Sequence, residues 1–115
     1  MKLQVQQQSL RVRVTEAELQ GLLSGSPLRL DLGFDGYDLL AVQVTTGPDT
    51  SFAAGAVWRL SLSEAALRVY AGTLPRRDAL VAELTGSGGE PLRLEFEVDV
   101  RDSVKVRGPR RGGAS

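Results

Sequence analysis

The chain has 115 residues, the size of one domain with one hydrophobic core, and its 42% hydrophobic and 24% charged content excludes wholesale disorder. Histidine and cysteine are both absent, which excludes disulfides, thiolate chemistry, a structural zinc site and a Ser-His or Cys-His nucleophile system. Net charge is zero, yet residues 101–115 carry Arg101, Lys105, Arg107, Arg110 and Arg111 against Asp102, so a basic tail follows an acidic body.

The first elements alternate with period two. Leu3 and Val5 oppose Lys2, Gln4 and Gln6, and after Gln7-Gln8 the residues Leu10, Val12 and Val14 oppose Ser9, Arg11 and Arg13. Two short strands around a two-residue gap predict a hairpin, although Gln-Gln is poor turn chemistry. Thr15-Glu16-Ala17-Glu18 then has the capping-box pattern: Thr15 can accept from an orphan N–H, and Glu18 can reach back. Leu19, Leu22 and Leu23 follow at helical spacing, and Gly25 with Pro27 stops the helix. Leu28, Leu30, Leu32 and Phe34 return to period two. Residues Gly33–Asp38 are turn-rich, Leu40–Thr45 is a strand with Leu40, Val42 and Val44 inward, and Thr46–Ser51 is a loop. Val57–Leu62 is a strand with Trp58, Leu60 and Leu62 on one face. Ser63 opens a second helix with Leu67, Tyr70 and Ala71 on its stripe, ended by Gly72 and Pro75. Leu80–Thr85, a Gly-rich loop at Gly86–Pro91 and the strand Leu92–Val100 complete the pattern, with Leu92, Leu94, Phe96, Val98 and Val100 inward.

Shifted by 48 residues, Arg11–Arg29 lies over Arg59–Arg77 without a gap and with six identities, among them Pro27 on Pro75 and Arg29 on Arg77. Each unit is a strand, a hydroxyl N-cap, a short helix and a Pro stop. One unit cannot bury both its strand face and its helix stripe, so two copies are expected to close on each other about a pseudo-twofold axis. The expected fold is α+β: a mostly antiparallel, curled or barrel-like sheet of about seven or eight strands with two short helices. A single domain over 1–100, with repeat units at about 9–45 and 57–100, would carry residues 101–115 as a mobile basic tail.

Met1–Leu19 resembles the opening of a family of small bacterial proteins of unknown function, whose chains begin Met-Lys-(Leu/Ile)-Arg-(Ile/Leu) and run through Asn-Ser-(Leu/Ile)-Arg-(Leu/Ile)-Arg-(Leu/Val)-Thr. Lys2, Leu3, Ser9, Leu10, Arg11, Arg13 and Thr15 match, while Gln4 replaces the Arg and Gln8 the Asn. The resemblance implies a bacterial origin and a shared fold, and it supplies no activity. Members often end in an acidic tail, whereas this chain ends basic.

Four features could carry function. Lys2, Ser9, Arg11 and Arg13 should share the outward side of the opening hairpin, a patch suited to carboxylate or phosphate; the competing reading pairs these cations with the acidic row Glu95, Glu97 and Asp99. Asp31, Asp35 and Asp38 beside Tyr37 could hold a hard cation, but they lack calcium-loop spacing and read as turn residues. The tail Lys105–Arg111 could meet nucleic acid or an acidic protein surface, against the acidic body of the chain. Trp58, Tyr70 and Phe96 read as core rather than as a ligand platform, and Gly86–Gly89 leads into a strand, so it lacks the geometry of a phosphate loop.

No apolar run approaches the ~18 residues of a membrane span, and the polar start is no signal peptide. The expectation is a cytoplasmic, non-catalytic binding or interaction module without cofactor or metal, whose partner is a protein or a second copy of the chain. The alternatives are a nucleic-acid-associated protein using its tail and an enzyme working with carboxylates alone, drawn from Asp31, Asp35, Asp38 or Glu83.

Overall fold

Ten elements follow one another in the computed structural model of the chain, which describes residues 1–75 and 78–99. They are β1 (Lys2–Gln6), β2 (Ser9–Val14), α1 (Glu16–Leu23), β3 (Leu28–Phe34), β4 (Tyr37–Gly47), β5 (Ser51–Ala53), β6 (Trp58–Ser63), α2 (Glu64–Ala71), β7 (Leu80–Thr85) and β8 (Pro91–Val98). The expected hairpins and both helices form. The expected 46–51 loop is shorter at both ends: β4 runs on to Gly47, and a three-residue strand, β5, too short to give a periodic signal, begins at Ser51. Arg77, Val100 and the basic tail lie outside the described residues.

The expected single curled sheet is replaced by two four-stranded mixed sheets, ordered β1-β2-β8-β7 and β3-β4-β6-β5. Hairpins supply the antiparallel pairs. The central pairs, β2 with β8 and β4 with β6, are parallel. The physical reason is the path of the helices: α1 carries the chain from β2 in the first sheet to β3 in the second, and α2 carries it back from β6 to β7. Among the described residues each sheet therefore keeps two free edges instead of closing.

The registers of the two sheets correspond. Arg11 lies opposite Glu95 and Val12 opposite Phe96; Arg59 lies opposite Gln43 and Leu60 opposite Val44. Leu28 faces Val44 as Leu80 faces Phe96. The offset is 48 residues through the helices and 52 in the strands that follow, so the ungapped match of Arg29 with Arg77 does not extend into β3, and Arg29 corresponds to Val81 instead.

Alternation places Leu10, Val12, Val14, Leu94, Phe96 and Val98 of the first sheet in one buried cluster with Val42, Val44, Leu60 and Leu62 of the second. Leu19, Leu22, Leu67 and Tyr70 of the helices complete it. The ring of Tyr70 meets Phe96 edge-on at 6.3 Å, and its hydroxyl donates to the Asp78 carbonyl at 3.0 Å.

The caps work as the sequence indicates. Glu18 N–H donates to Thr15 Oγ1 at 3.1 Å, and Thr15 N–H donates to Glu18 Oε1 at 2.9 Å. Glu18 Oε2 also accepts from the Met1 amine at 2.7 Å. Gly25, at φ 93°, ends α1. Ser63 Oγ accepts from Ala66 N–H in α2, and Arg68 of α2 donates to the Leu23 carbonyl at the end of α1, a favourable place for a cation.

Candidate functional site

The turn between β1 and β2 fixes the first candidate surface. Gln8 takes the left-handed conformation, φ 57°, which costs most L-residues about 1–2 kcal/mol. Its side chain donates to the Pro91 carbonyl at 2.6 Å, and its own carbonyl accepts from Arg93 N–H at 2.9 Å, so contacts with β8 hold a turn that its sequence does not favour.

Lys2, Ser9, Arg11 and Arg13 come together on the outer face of the first sheet, where Lys2 is opposite Arg13. Arg11 and Arg13 are not free for a ligand. Arg11 Nε lies 3.0 Å from Glu95 Oε1 and Arg11 Nη1 lies 3.1 Å from Glu97 Oε1. Arg13 Nη2 reaches Glu97 Oε2 at 2.9 Å. Arg93 extends the ladder to Glu83 and Glu95. Arg93 and then Arg11 hold the Glu95 carboxyl below the usual carboxylate range, outweighing partial desolvation. The corresponding position of the second sheet is milder: Arg59 donates to the neutral Gln43 at 2.9 Å. Two pockets of about 190 and 220 Å³ lie along this face, the first lined by Gln4, Gln6, Ser9, Arg11 and Glu95 and the second by Lys2, Leu3, Gln4, Arg11 and Arg13.

Two other expected features separate. Asp31 pairs with Arg29 at 3.0 Å, and Asp35 occupies the left-handed position of the β3–β4 turn, φ 56°. Among the described residues no cluster of three metal-ligating groups forms. Tyr70 and Phe96 are fully in the core; Trp58 is half-buried, packs against the core cluster and meets Phe52 edge-on at 6.0 Å. Both rings line an apolar cleft of about 230 Å³ with Val5, Leu10 and Leu92, and with Gln6 and Gln8 also on its wall. Trp58 also reaches the cleft wall because it is the first residue of β6.

The surface that sequence reading missed is the outer half of the β3–β4 ribbon. β6 pairs with β4 only from Val42 onward, so from Ala41 to the turn the ribbon is two-stranded. An Asp35-Gly36 turn closes it, with φ 56° and 80°, the left-handed pair that suits a two-residue hairpin. The register shifts after Leu32, leaving Leu39 as an extra residue. Gly33 is tight here: a Cβ would sit 3.2 Å from the Tyr37 carbonyl oxygen. Leu32, Phe34, Tyr37 and Leu39 are 52, 74, 72 and 58% exposed. Leu32 and Phe34 continue the row of Leu28 and Leu30, so their pattern reads as core-facing. Only the point where β6 begins shows that the core has ended.

The other hairpin sharpens the contrast. Between the partners Leu32 and Leu40 run Gly-Phe-Asp-Gly-Tyr-Asp-Leu, and between the partners Leu84 and Leu92 run Thr-Gly-Ser-Gly-Gly-Glu-Pro, seven residues in each case. One closure is apolar and aromatic. The other is small and polar.

No described helix is long and apolar enough to cross a membrane. Comparison of the chain with protein-family models, with curated proteins and with solved structures finds no match.

Proposed function

We propose that the chain is a non-catalytic protein-interaction module whose binding element is the outer β3–β4 ribbon. The observation that carries this reading is the cluster of four large apolar side chains, each more than half exposed, on one short ribbon. Scattered exposed apolar residues need no explanation, but a contiguous patch on a soluble chain marks a contact surface, and Tyr and Phe are enriched in the centres of such contacts. Asp31 and Asp38 lie on the other face of the ribbon and Asp35 in its turn. Glu83, Glu95 and Glu97 are engaged by Arg and Glu18 by the Met1 amine, which favours a structural over an acid–base role for these four.

The correspondence of strand order and register supports reading the two halves as an internal repeat about a pseudo-twofold axis, and the match at Met1–Leu19 supports kinship with the small bacterial family. The absence of cysteine suits a reducing compartment, and we place the module in the cytoplasm, which cell fractionation checks.

A photo-crosslinking phenylalanine analogue at Tyr37, with Ser87 of the corresponding hairpin as control, tests the reading. A discrete adduct from position 37 and none from 87 is expected. No adduct from position 37, or equal adducts from both, would overturn it.

A further inference from the structure

The free edge of β3 points to the occupant of the ribbon: we propose that β3 pairs antiparallel with β3 of a second copy of this chain about a twofold axis at Leu30, an inference that rests on the interaction-module reading. β3 ends its sheet. At seven residues it is the longest of the four edge strands, against five in β1, three in β5 and six in β7. Long edges with apolar rows invite pairing unless they are blunted. One face of this edge carries Leu28, Leu30, Leu32 and Phe34, and the other carries Arg29 and Asp31.

Charge selects the register. Directly opposite residues in an antiparallel pair share a face, so a twofold axis normal to the sheet passes at a residue rather than between two. An axis at Leu30 sets Arg29 opposite Asp31 of the partner copy and Leu28 opposite Leu32 of the partner copy, each twice by symmetry. An axis at Asp31 sets like carboxylates against each other, and one at Arg29 sets like guanidinium groups against each other; both are unfavourable. An axis at Leu32 would draw the turn residue Asp35 into the ladder, and its φ of 56° is not extended. Within one copy Arg29 and Asp31 already lie on the same face, 3.0 Å apart, so dimerisation adds cross-strand partners to charges that are in position. It also covers Leu32 and extends the apolar face across the axis.

The natural absence of cysteine makes a clean test. Opposite Cα atoms in an antiparallel pair lie about 4.5–5.5 Å apart, inside the range a disulfide spans. The Leu30→Cys chain should form a symmetric disulfide dimer under mild oxidation, while Ala82→Cys, at the corresponding position of β7, stays monomeric. Independently, Arg29→Asp should weaken the dimer at least tenfold in sedimentation equilibrium, and Arg29→Asp with Asp31→Arg should restore it. A monomeric Leu30→Cys chain, or a charge exchange that does not restore association, overturns the inference. If the Tyr37 adduct is a protein of another mass and the native chain sediments as a monomer, the second-copy inference fails while the interaction reading stands; no adduct and no dimer together sink both.

Discussion

Replacing Arg11 by alanine separates a structural ladder from a ligand site on the outer face of the first sheet. Arg11 is 38% exposed, and the Glu95 and Glu97 carboxylates it joins are 13 and 15% exposed. An exposed ion pair contributes about 0–1 kcal/mol, and a hydrogen bond to a charged group about 1.5–3 kcal/mol. This half-buried set falls between, and Glu95 keeps Arg93 while Glu97 keeps Arg13, so a loss of about 1–2 kcal/mol is expected. Urea unfolding at pH 7, followed by the fluorescence of half-buried Trp58, reads it. The sign of the pH effect follows from Glu95, whose folded carboxyl titrates below its ordinary 4.5. Its stabilising contribution is complete above that value and disappears as pH falls through the lower folded value. Arg11→Ala should therefore flatten the acid-side decline, and added salt should narrow its difference from the native chain. Unchanged stability at pH 7 with an unchanged acid limb would refute the ladder and return Arg11 to the role of a free anion-binding group.

Other substitutions test the remaining parts of the account. Glu18→Gln should cost about 1–2 kcal/mol, because the carboxylate serves both Thr15 N–H and the Met1 amine; partial burial pushes that carboxyl up, but the Met1 and Thr15 hydrogen bonds outweigh it, so this contribution too should fade on acidification in urea titrations. Thr15→Ala, read the same way, should cost about 0.5–2 kcal/mol as the loss of an N-cap. Phe96→Ala, at a position 1% exposed, should cost about 3–5 kcal/mol, whereas Phe34→Ala should cost under about 1 kcal/mol at low protein concentration. Gln8→Gly should change the urea midpoint little, since relief of the left-handed backbone offsets the lost bond to Pro91, while Gln8→Val should cost about 2 kcal/mol or more.

Much of the local structure was readable because it is written in short-range patterns. Leu10, Val12 and Val14 alternate, Thr15 and Glu18 sit at capping-box spacing, and Ser63 opens α2 as Thr15 opens α1. Partner choice was less accessible. Nothing near Val12 in sequence says that it will lie beside Phe96, and parallel pairing between distant strands leaves no local signature. The same limit hid the ribbon: Leu32 and Phe34 share the alternation of Leu28 and Leu30, and only the position of Trp58 opposite Val42 decides which residues of the row stay outside the core. The shared face of Lys2, Ser9, Arg11 and Arg13 was legible from alternation, and the acidic row supplies Glu95 and Glu97 as partners of the two arginines.

The central claim is that residues 33–39 serve binding and not folding. It is tested most directly by replacing them with the seven residues of 85–91 and measuring adduct formation from a photo-crosslinking residue at position 37 in both chains. The account predicts a soluble, folded exchanged chain that gives no adduct where the native ribbon gives one. The same adduct from both chains, or collapse of the fold on exchange, would contradict it.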